Sequence, residues 1–152
     1  MRSRRLQVTV GLAALAVTLC AASPASAESE RVVEAARLRG IEYIKSQQGP
    51  DGGWFFNGHV VGITSLCGLA LVENGLPVSD SVVEKAHSFV RKSCGDVQNT
   101  YDLALAILFL SRIGDRDNRN LIREMAAKLI AGQNKEGGWS YTCPKVTASV
   151  LS

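Results

Sequence analysis

Gln48-Gly49-Pro50-Asp51-Gly52-Gly53-Trp54 returns 85 residues later as Gln133-Asn134-Lys135-Glu136-Gly137-Gly138-Trp139. Both stretches read Q-x-x-x-G-x-W, and each closes a segment with helical spacing of apolar residues. Glycine permits positive φ in a tight connection, the indole covers a hairpin with a large apolar surface, and the glutamine amide can satisfy backbone groups left open at a helix end. Gln48, Gly52, Gly53, Trp54, Gln133, Gly137, Gly138 and Trp139 are therefore expected to be structural residues with buried indoles. Half of that spacing is about one helix pair, so a third copy is expected between them. Phe89-Val90-Arg91-Lys92-Ser93-Cys94-Gly95 echoes the helix end there but lacks the Gln and the Trp.

Outward from these turns the chain divides into helical segments joined by short connections rich in Gly, Pro, Asp and Asn, with no alternating strand pattern of useful length. The spacing predicts helices over about 31–48, 59–74, 80–93, 100–113 and 118–132, and a sixth starting near Lys145. The first, third and fifth carry one apolar stripe, as in Val82, Val83, Ala86, Phe89 and Val90. The second and fourth are apolar almost all round, as in Leu103 to Leu110, and are expected to be covered on every side. Ser81-x-x-Glu84 reads as a capping box for the third helix and Asn99 as the cap of the fourth. Alternating amphipathic and apolar helices describe two layers of helix hairpins, an all-α repeat.

The paired Q-x-x-x-G-x-W turns and this alternation resemble the prenyltransferase and squalene-oxidase repeat family, over about residues 31–152. The resemblance implies an α/α toroid with inner helices around a central cavity. A closed toroid of that family needs roughly six helix pairs, an (α/α)6 barrel. This chain supplies about two and a half, which suggests either truncation of a longer gene or closure through self-association.

Residues 1–27 carry Arg2, Arg4 and Arg5, then an apolar run from Val8 to Leu19, then small residues ending Ala25-Ser26-Ala27. This is the pattern of a secretory signal peptide cleaved after Ala27. The run is shorter than the ~20 residues that span a bilayer. The repeat domain is then 28–152, exported to the periplasm or the extracellular space and without a stable membrane span. Of the cysteines left after cleavage, Cys67 reads as a small buried hydrophobe. Cys94 and Cys143 lie at element edges and are the candidate disulfide pair in an oxidising compartment.

Candidate chemistry is sparse. Some relatives protonate a substrate with a D-x-D-D cluster, and Asp115-Arg116-Asp117 is the nearest approach, read more naturally as a helix start. Aromatics make up 6% of the chain, thin for a cavity that stabilises carbocations. Prenyltransferase β subunits hold zinc with Asp, Cys and His; here no such residues have compact ligand spacing, so neither a metal nor a cofactor is assigned. No phosphate loop and no nucleophile elbow occur. The written net charge of +3 falls to zero without the three leading arginines, which leaves no electrostatic footprint for nucleic acid. His59, Tyr101 and Asp102 stand at the starts of the two apolar helices and are the cavity-facing candidates, Asp102 reading first as a carboxylate favoured at its own helix N-terminus. The sequence thus favours an exported, non-catalytic scaffold that binds a protein, peptide or glycan. The alternative is the N-terminal part of a toroidal enzyme, terpenoid-cyclase-like or polysaccharide-degrading, whose catalytic residues lie in other repeats.

Overall fold

The structure, a computed structural model, describes residues 24–146. The described residues form five α-helices: α1 Pro24–Ser46, α2 Val60–Glu73, α3 Ser81–Ser93, α4 Thr100–Ile113 and α5 Arg119–Ala131, the last preceded by a 3-10 turn at Arg116–Asn118. No strand occurs among them beyond two isolated bridges. The protein is all-α. The chain divides into two compact units with the boundary after Ala35. The unit that begins at Ala36 holds the C-terminal part of α1 and helices α2 to α5.

Helices α2 and α4 form the central pair, with α3 packed on α2 and α5 on α4. Small residues on α2 allow that central contact. A methyl group added at Gly62 would overlap the carboxylate of Asp102, and one at Gly68 would stand 2.6 Å from the ring of Phe109. Close approach of the two helix axes therefore depends on both glycines. Leu71, Leu103, Ala106, Phe109 and Leu110 fill this contact, and Val83, Ala86, Val90 and Met125 close it from the flanking helices. Each fully buried large side chain contributes about 1.5–3 kcal/mol of transfer free energy.

The helix ends follow from local chemistry. The cap of α3 is Asp80, one residue before the expected Ser81, and its carboxylate accepts from Val82 N at 2.9 Å. Asn99 caps α4 as expected, accepting from Tyr101 N and Asp102 N. Gly114 ends α4 in the left-handed conformation at φ 75°, where a side chain would be strained. Asp115 caps the 3-10 turn through Asp117 N and pairs with Arg91 at 3.1 Å, so Asp115-Arg116-Asp117 is a helix start.

The central helices are not covered on every side. Leu66 on α2 is 40% exposed, and Tyr101 and Leu108 on α4 are 53% and 55% exposed. Residues Cys143–Val146 are irregular. The remainder of the sixth expected helix, like residues 1–23 of the expected signal peptide, lies outside the described residues. No helix among the described residues is long and apolar enough to cross a membrane.

Candidate functional site

The two glycine-tryptophan turns are one structure made twice. Gln48 Nε2 donates to Gly52 O at 3.0 Å, and Gln133 Nε2 to Gly137 O at 2.9 Å. Trp54 Nε1 donates to Ile44 O at 2.8 Å, and Trp139 Nε1 to Leu129 O at 2.6 Å. Backbone bonds Gly49 N to Gly53 O and Asn134 N to Gly138 O close both loops, and Gly52 and Gly137 share positive φ, 93° and 85°. The glutamines satisfy carbonyls within the turn itself, rather than the open helix-end groups anticipated for them.

Their surroundings differ. The first turn is clamped by α3: Gln48 Nε2 also donates to Val82 O at 2.8 Å, and Phe89 stacks edge-on to Phe55 with ring centroids 6.2 Å apart. From α2 the Thr64 hydroxyl accepts from Trp54 N at 3.0 Å. Trp54 is buried as expected. Trp139 is half exposed, contrary to expectation, because no described element lies over the second turn.

At the N-terminal ends of the central pair, the structure brings His59 and Asp102 together. The Asp102 carboxylate lies 3.3 Å from His59 Nδ1 and accepts from Gly62 N. It is almost fully buried, and His59 is half exposed. Asp102 therefore does not serve only its own helix. His59 contributes no side-chain cap to α2, and Asp102 reaches across from α4 to satisfy an open amide of the neighbouring helix. Burial pushes the Asp102 carboxyl above the ordinary carboxylate range, with the neighbouring imidazole and the Gly62 amide pulling it back.

Tyr101 lies beside this pair but opens onto a different feature. It lines an open cleft of about 650 Å³ with Thr100, Ala104, Trp139, Ser140 and Tyr141. The far wall is held to α4 by Thr100 N to Tyr141 O at 3.0 Å and Thr100 Oγ1 to Ser140 O at 2.6 Å. Three of the chain's nine aromatic side chains thus converge where α4 begins.

The candidate disulfide is not formed in this structure. Cys94 and Cys143 are both buried in the core as free thiols. Cys94 Sγ faces Arg91 O at 3.7 Å and Cys143 Sγ faces Thr100 Oγ1 at 3.2 Å. Burial raises the Cys67 and Cys94 thiols above their ordinary value, and Cys67 is half-buried rather than buried. His87 is partly buried and meets Asn118 Oδ1 at 3.1 Å. Among the described residues no three His, Cys, Asp or Glu side chains gather as a metal site.

Sequence reasoning missed three residues. Thr64 was submerged in an apolar helix, where a buried hydroxyl is itself a signal of a specific partner. Gly62 matters only through Asp102, which is distant in sequence. Asn118 is fully buried and donates to Leu110 O at 3.3 Å while meeting His87, tying α3 and α4 to the start of α5. No family model, curated protein or solved structure matches this chain.

Proposed function

We propose that the chain is an exported, non-catalytic α/α-repeat segment of the prenyltransferase and squalene-cyclase type, whose central helices present a ligand-binding face. One observation carries this reading. Leu66, Tyr101 and Leu108 stand exposed on two helices that are otherwise apolar, and Tyr101 and Leu108, seven residues apart, share one stripe of α4. An uncovered apolar row on a central helix pair is an unusual use of surface unless something binds it. Aliphatic Leu66 and Leu108 suit a protein or peptide ligand, while the aromatic cleft of Tyr101, Trp139 and Tyr141 beside them would also suit a glycan. The leader-like residues 1–27 support export.

The test is binding of the apolar fluorophore 8-anilinonaphthalene-1-sulfonate to the protein and to Leu66→Gln/Leu108→Gln. Several-fold weaker fluorescence in the variant, with unchanged far-ultraviolet circular dichroism, supports the reading. Equal fluorescence contradicts it, as does isoprenoid cyclisation or stoichiometric zinc binding by the purified protein.

A second reading, part of a toroidal enzyme, is favoured by the His59–Asp102 pair. A half-exposed imidazole held by a buried carboxylate is an arrangement suited to proton transfer. Further glycine-tryptophan turns and acidic clusters in a continuing reading frame would support it.

A further inference from the structure

Two inter-helix connections among the described residues, the first glycine-tryptophan turn and the α3–α4 connection, are clamped by the next amphipathic helix. Phe89 and Lys85 of α3 sit against the first turn: a methyl group at Gly53 would stand 3.0 Å from the Phe89 ring, and one at Gly52 would stand 2.5 Å from Lys85 O. Lys128 of α5 clamps the middle connection, donating to Gly95 O at 2.6 Å and Val97 O at 3.0 Å. The second glycine-tryptophan turn has no such clamp among the described residues. A methyl group at Gly138 would meet nothing nearer than its own Asn134, at 3.5 Å. Gly137 needs its positive φ, but Gly138 has no such requirement. Its absent side chain leaves room for a ring where Gly53 receives Phe89.

Helix α1 carries the matching half. Displaced by 46 residues it aligns with α3: Gly40 with Ala86, Tyr43 with Phe89, Ile44 with Val90 and Lys45 with Arg91. The clamping set Val82, Lys85 and Phe89 then corresponds to Ala36, Arg39 and Tyr43, in each case apolar, basic and aromatic at positions i, i+3 and i+7. The α3 set is engaged. The α1 set is exposed throughout, with Tyr43 at 67%.

We propose that this protein associates head to tail, the α1 of a second copy laying Tyr43 and Arg39 on the Gly137-Gly138-Trp139 turn as α3 lays Phe89 and Lys85 on the first. The contact would bury Trp139 as Trp54 is buried. It is heterologous, so it propagates until a ring closes or a filament grows. It borders the proposed ligand-binding face at Tyr101, which lines one cleft with Trp139, but leaves Leu66 and Leu108 out, so its failure leaves the ligand-binding reading, tested at those two leucines, untouched.

The experiment is light scattering on the eluting full chain at ~50 µM, since assembly depends on protomer concentration. A mass of at least two chains is expected, falling to one for Tyr43→Arg and for Gly138→Val, with circular dichroism unchanged because Tyr43 is exposed and a side chain at Gly138 meets only Asn134, at ordinary contact distance. Each variant keeps one intact half of the contact. Mixing the two should restore a species of two chains and no more. A monomeric parent chain would overturn the proposal, as would variants that assemble like the parent, or a mixture that stays monomeric.

Discussion

Trp54 and Trp139 make the same hydrogen bond, from indole nitrogen to the carbonyl ten residues earlier, yet one is 5% exposed and the other 48%. The local turn is therefore independent of what covers it. Glutamine, glycine and tryptophan build the loop, and the next helix pair supplies burial. The stability each indole contributes should follow the cover.

Trp54→Ala should destabilise the fold by about 3–5 kcal/mol, the cost of a large buried aromatic plus its cavity. Trp139→Ala should cost under about 1.5 kcal/mol when measured on dilute protein. Urea denaturation of both variants checks the difference, and equal costs would mean that the second turn is covered after all.

The glycines should split the same way. Gly52→Ala meets both a positive φ and the Lys85 carbonyl, whereas Gly137→Ala meets the positive φ in open space. The conformational term alone is about 1–2 kcal/mol. Gly137→Ala is expected to show only that, and Gly52→Ala clearly more, in thermal unfolding.

The helix order, four of the five helix bounds to within a residue or two, and the paired turns were all legible in the sequence, because each rests on local signals: apolar periodicity, caps and glycine placement. α1 extends further back than its periodicity indicated, beginning at Pro24. The juxtaposition of His59 with Asp102 was only half legible. Both residues stood out as polar positions at the starts of apolar helices, but the carboxylate reads as a cap for its own helix until the glycine opposite it is known to face α4. The exposure of Trp139 was illegible, since one motif carries the same sequence whether or not a neighbour lies over it. Whether the candidate pair Cys94 and Cys143 is joined was not legible, since edge position in sequence does not fix how two sulfurs lie.

Asp102 should leave a mark on the pH dependence of stability. Its folded carboxyl lies above the unfolded value, so the folded state holds this proton more tightly. That contribution is full below the unfolded value of about pH 3.9 and is lost as pH rises through the raised folded value. Asp102→Asn keeps an acceptor for the Gly62 amide and removes the titration. The difference in stability between the variant and the parent should therefore shift in favour of the variant as pH rises across this window. A pH-independent difference in denaturation midpoints would contradict this.

The thiols offer an independent check on the core. Cys94 and Cys143 should remain unlabelled by an alkylating reagent in the native protein and react on unfolding without prior reduction. Labelling that requires a reductant would mean that the two are joined, against the free thiols of the structure.

The most direct test of the repeat with one covered and one open turn is acrylamide quenching of the single-tryptophan variants Trp54→Phe and Trp139→Phe in dilute solution. Quenching should be several-fold stronger for the protein that retains Trp139 than for the one that retains Trp54. Equal shielding of both indoles at every dilution would contradict the open second turn, and equal exposure would contradict the clamp that α3 places on the first.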